Sequence, residues 1–154
     1  MEPHARKIAE ALRGSGGFSF PVRHRILKMV EYSEASAAVR AVYDDIMTTR
    51  KTDTINNFWK SLATQPDLLR RTWESIKHVM APGVLDPLTK ELIYMAVSAA
   101  NQCGYCMASH SAGARAKGMT DEMFGELMAV IGMANQTNAL AMGFRVPIDE
   151  QFKQ

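Results

Sequence analysis

From Ser33 onward the apolar residues of this chain recur every three to four positions, and no stretch alternates long enough to make a strand. A helix returns to one face every 3.6 residues and a strand every two, so the pattern specifies an all-α fold. Its punctuation marks out the helices. Ser33 offers an N-cap for a helix through Ala37, Val39, Ala41, Val42 and Ile46. A second run is expected from Ile55 to Ala63, ending before Pro66, and Pro66-Asp67 opens a third with Leu68, Leu69, Trp73, Ile76, Val79 and Met80 as its apolar stripe. Asp86-Pro87 pairs a capping carboxylate with proline at the first helical position, and the helix so opened holds Glu91, Leu92, Met95 and Val97. It fades at Asn101-Gln102, either of which can cap the next helix, and Gly118 is placed to close that one in a left-handed conformation. Thr120-Asp121-Glu122 then caps a last long helix, from Met123 to about Met142. The expectation is about six helices. Ahead of them, Pro3 to Arg13 can form a short helix that Gly14-Ser15-Gly16-Gly17 ends, so residues 1–20 read as an N-terminal arm and 21–154 as the helical domain.

At 154 residues and 47% apolar content, such a domain can bury a core without covalent staples. Its two cysteines therefore need another reason to sit three residues apart, in Cys103-Gly104-Tyr105-Cys106. A formal charge of +2 is too small to imply nucleic acid, and the early basic residues are interleaved with apolar ones rather than forming a block. No apolar run follows the charged start, and the longest, Leu92 to Ala100, is too short to cross a bilayer. A cytoplasmic protein with no membrane or nucleic-acid partner is expected, and there a CxxC is reduced and either catalytic or metal-binding.

Near a helix start, unpaired backbone N–H groups and the helix dipole stabilise a thiolate. Cys103 and Cys106 share one helix face, and His110, four residues after Cys106, shares it too, within reach of that thiol directly or through a water. Cys103, nearer the helix end, should be the more exposed sulfur. The arrangement suits a redox cycle in which one thiolate attacks an oxidised substrate and the other closes the disulfide. Zinc is the alternative, since Cys103, Cys106, His110 and Glu91 are all acceptable ligands. Haem attachment is excluded, because it needs histidine where Met107 stands. Glu91 is the candidate to orient His110, yet along one straight helix it would lie about 18 Å from Cys103. The two meet only if the chain turns back near Asn101-Gln102. Phe58 and Trp59 are read as core, and the eleven methionines as core and interface filler.

Glu91, the CxxC after an eleven-residue gap, and His110 together resemble the alkylhydroperoxidase D-like (AhpD-like) branch of the carboxymuconolactone decarboxylase family. Asp86-Pro87-Leu88-Thr89-Lys90-Glu91 and Ala114-Arg115-Ala116-Lys117-Gly118-Met119 resemble it as well, and the likeness covers about Tyr32 to Phe152. The resemblance implies a helical domain assembling as trimers or hexamers, with thiol-dependent peroxidase or disulfide reductase activity and no cofactor. Its substrate would be a hydroperoxide or disulfide, and an external dithiol or thiol protein would regenerate it. It further implies that Cys106 attacks, Cys103 resolves, and Glu91 with His110 relays the proton. Tyr105 stands where the family's best-described members carry a second relay histidine; a tyrosine hydrogen-bonds but is a poor base near neutral pH. The wider family also holds a cofactor-free lactone decarboxylase branch, which does not depend on a cysteine pair.

Overall fold

The computed structural model of the chain describes residues 28–153. Six α-helices follow one another: α1 (Ala37–Arg50), α2 (Asn57–Leu62), α3 (Pro66–Met80), α4 (Pro87–Ala100), α5 (Gly104–Ala116) and α6 (Asp121–Gly143). Short 3₁₀ turns lie at Tyr32–Glu34 and Glu150–Phe152, and no strand occurs among the described residues. The helix expected from Pro3 to Arg13 and the arm of residues 1–20 lie outside the described residues. The chain divides into two compact units, one ending at Arg70 and the other beginning at Arg71.

In the first unit α1 buries Val39, Val42, Tyr43 and Ile46, the i, i+3, i+4, i+7 set of one helix face. Tyr43 is fully buried, and its hydroxyl donates to the Val30 carbonyl at 2.9 Å, which satisfies the one polar atom that its burial would otherwise leave unpaired. Val30 N–H in turn reaches the Lys60 carbonyl at 3.1 Å, tying the leading segment to α2. The helix starts later than the sequence implies. Ser36, in extended backbone, accepts from Val39 N–H and is the N-cap, whereas Ser33 sits in the preceding 3₁₀ turn. Of the aromatic pair on α2, Trp59 is buried under the Arg50 guanidinium, while Phe58 stays 42% exposed. Core packing holds for Trp59 alone.

The second unit is built on α4 and α5, which run antiparallel: Cys103 N–H, at the start of α5, bonds the Ser98 carbonyl near the end of α4 at 2.9 Å. Asp86 caps α4 by accepting from Leu88 N–H at 2.9 Å and Thr89 N–H at 3.0 Å. The Thr89 hydroxyl and these N–H groups hold the Asp86 carboxyl below the ordinary carboxylate range. Met95, Ala114 and Met119 form the buried centre, with Leu88, Leu92, Met107, Met123, Phe124 and Leu127 packed around them. Complete burial of a side chain such as Met95 stabilises the fold by about 1.5–3 kcal/mol. The small residues of α5 permit this approach, since Ala114 is fully buried against the cluster. Thr120 caps α6 by accepting from Met123 N–H, and the helix packs through its first half as far as the buried Ile131. No helix among the described residues is long and apolar enough to cross a membrane.

Candidate functional site

Asn101, Gln102 and Cys103 reverse the chain between α4 and α5. Gln102 takes a left-handed conformation (φ +55°), and neither it nor Asn101 caps α5. The N-cap is Cys103 itself, whose Sγ accepts from Cys106 N–H at 3.3 Å. The reason is geometric: a reversal three residues long places the first non-helical position at the cysteine. Its sulfur therefore receives one of the free N–H groups of the first turn, that of the third helical residue, at the positive end of the dipole. Cys103 and Cys106 are joined as a disulfide, with sulfurs 2.10 Å and Cα atoms 5.3 Å apart. Both are half-buried. Tyr105 between them is 47% exposed.

The same reversal brings Glu91 to His110. Glu91 Oε2 lies 2.7 Å from His110 Nδ1, although nineteen residues separate them. Both side chains are largely buried, and Glu91 is only 7% exposed. A carboxylate only accepts, so Nδ1 carries the proton and Nε2 is left as the basic nitrogen. Tyr94, one turn after Glu91, stacks on the imidazole with ring centroids 3.6 Å apart and planes 18° from parallel. The ring is thus fixed by an edge contact and a face contact. Cys106, four residues before His110 on α5, has its Cβ about 5–6 Å from the histidine's.

Two further groups surround the carboxylate. Lys117 Nζ reaches Glu91 Oε1 at 2.9 Å and the Gly113 carbonyl at 3.4 Å. Gly113 faces the carboxylate so closely that a Cβ there would lie 3.0 Å from Oε1 and 3.2 Å from Cδ. Burial by itself pushes the Glu91 carboxyl upward. The hydrogen bonds from His110 and Lys117 and the electrostatic attraction of these two groups outweigh it, and the group is held below the ordinary glutamate value. Tyr94, Gly113 and Lys117 were not singled out by the sequence. The available signal was register: His110, Gly113 and Lys117 stand at i, i+3 and i+7 on α5 and its C-cap, and Glu91 and Tyr94 at i, i+3 on α4.

The chemistry open to this arrangement is thiol–disulfide exchange beside an imidazole whose free nitrogen can take or give a proton. Bonded to each other, the two sulfurs are closed to a metal ion in this oxidised form. Among the described residues no three His, Cys, Asp or Glu side chains converge to hold a metal ion.

A helical hairpin with a CxxC disulfide at the N-terminus of its second helix, backed by a buried Glu–His pair, defines the class of protein. Residues 66–148 match the carboxymuconolactone decarboxylase family. The alkylhydroperoxidase AhpD core from Rhodospirillum rubrum is 53% identical, superposes with a TM-score of 0.77, and matches 83% of this chain and 94% of its own. Uncharacterized protein 4 in the cox locus of Paracoccus denitrificans is 41% identical over 63 residues, which make up 41% of this chain. The matched stretch is 54% of that relative, so the chain spans about half its length. The chain belongs to the carboxymuconolactone decarboxylase family, in its AhpD-like branch.

Proposed function

We propose that the protein is a dithiol peroxidase that reduces organic hydroperoxides through Cys103 and Cys106. The observation that carries this reading is the redox-active spacing at the N-cap of α5 together with the Glu91–His110 pair one turn further along. The likeness to an alkylhydroperoxidase core supports it. In the reduced protein His110 Nε2 takes the Cys106 proton, because Cys106 is the cysteine one turn from it. The Cys106 thiolate attacks the terminal oxygen of ROOH, the O–O bond breaks, and the RO⁻ that leaves takes the proton back from His110 as ROH. Sulfur is oxidised to the sulfenic acid and the peroxide is reduced. Cys103, whose thiolate is favoured by the Cys106 N–H and the helix dipole, then gives up its own thiol proton and displaces hydroxide from the Cys106 sulfur; the hydroxide takes that proton and leaves as water, and the disulfide forms. An external dithiol or thiol protein supplies the two electrons that reopen it. Glu91 keeps the imidazole oriented and offsets its charge when it is protonated. No cofactor is required.

The assignment of the two sulfurs is tested by trapping. Cys103→Ser protein treated with one equivalent of hydroperoxide should accumulate a sulfenic acid on Cys106 that a dimedone adduct reveals by mass spectrometry. Cys106→Ser should give none and should consume no peroxide. An adduct on Cys103 in the second variant would reverse the roles, and intact thiols in both would remove the reading.

A further inference from the structure

We propose that Lys117 is a positioning residue for this site: it answers the buried Glu91 charge from the side away from His110, so that the imidazole stays neutral and available as a base. The inference rests on the reading of His110 as the proton carrier. Lys117 lies at the C-cap of α5, seven residues beyond His110, and reaches back to Glu91 Oε1 while His110 holds Oε2. Each carboxylate oxygen thus has its own donor. Gly113 completes the cradle, since its missing side chain leaves the space that the carboxylate occupies and its carbonyl anchors the lysine.

The logic is electrostatic. A carboxylate as buried as Glu91 is stable only with a compensating charge nearby. If His110 were the sole partner, that charge would have to be the imidazolium, and the histidine would be locked in its protonated form. A permanently charged lysine on the other oxygen removes that demand. From α5 and its C-cap the charged or titratable groups facing Glu91 are His110 and Lys117. Tyr94, on α4 itself, covers the imidazole face. What α6 brings to the surrounding core is apolar (Met123, Phe124 and Leu127), and its first residue, Asp121, pairs with Arg115 instead.

Removing the cation raises the proton affinity of every member of the Glu91–His110 pair, so the sign does not depend on which group holds the proton. The test is an NMR titration of the His110 ring nitrogens in the oxidised protein, where no thiol titrates. Wild type supplies the reference midpoint, and its neutral ring should carry the proton on Nδ1, the nitrogen that faces Glu91. Lys117→Met should raise the apparent midpoint by about one pH unit, and Lys117→Gln should do the same while keeping a hydrogen-bond donor. Lys117→Arg should restore the wild-type midpoint. Gly113→Ala, which displaces the carboxylate, should disturb the Nδ1–H signal with Lys117 intact. Wild-type titration in both neutral variants would overturn the inference. Thiols inert to peroxide would defeat the peroxidase reading while leaving this titration to decide the role of Lys117.

Discussion

A carboxylate buried like Glu91 has to be answered on both oxygens, and His110 and Lys117 do so at 2.7 and 2.9 Å. The pH dependence follows in sign. Its folded-state pKa is depressed, so its contribution to stability is fully present above the unfolded glutamate value, about 4.3. That contribution is lost as pH falls from there through the lower folded value. Denaturant titrations at pH 7, 5, 4 and 3 should show wild type losing stability in the acid range, and Glu91→Gln should lose distinctly less between pH 5 and 3. An identical acid loss in both would show that Glu91 carries no such charge. On activity, Glu91→Gln and His110→Gln should each slow peroxide-driven thiol loss at pH 7 by about 10²-fold or more. His110 was legible in the sequence through its register with Cys106, and Glu91 through the family spacing. Lys117, Tyr94 and Gly113 were not, because their roles exist only after α4 and α5 fold together, and a lysine at a helix C-cap or a glycine in a small-residue stripe reads as ordinary.

Among the helices, the reversal at Asn101–Cys103 decides the site. Gln102 adopts a conformation (φ +55°) that costs a non-glycine residue about 1–2 kcal/mol. Gln102→Gly should be close to neutral, since relief of that cost is offset by the greater freedom glycine loses on folding. Gln102→Val should lower the melting temperature of the oxidised protein by about 3 °C or more. Equal melting temperatures for glycine and valine would show that the turn is not constrained as described. Strong signals were read correctly at this scale: Asp86-Pro87 opens α4, Thr120 caps α6, and Gly118 lies just past α5 with φ +96°. Weak ones were not. Ser33 and Ser36 are equally good caps by composition, and only the 3₁₀ turn that takes up Ser33 decides in favour of Ser36. Cysteine is a poor predictor of an N-cap, so Asn101 and Gln102 outranked the residue that fills the role.

Beyond Ile131 the second half of α6 and the segment after it expose Met133, Leu140, Met142, Phe144 and Ile148, several of them by more than half. Apolar surface of this extent is characteristic of an interface, and we propose that copies of the chain pack through it as a trimer or hexamer. Light scattering behind size exclusion should report three or six chains, and Met133→Glu combined with Leu140→Glu should shift the mass toward one chain. A monomeric wild type would contradict that assembly. The helical class and the family were legible from periodicity and one motif; an assembly was suggested only by the family resemblance, because a helix exposed to solvent and one exposed to a partner share the same period. The most direct test of the central claim is thiol counting on the whole reduced protein. Mixed with an organic hydroperoxide, wild type should lose both thiols per chain within seconds, yielding one equivalent of the alcohol and a chain two mass units lighter. Thiols that survive excess peroxide, while remaining open to alkylation, would contradict it.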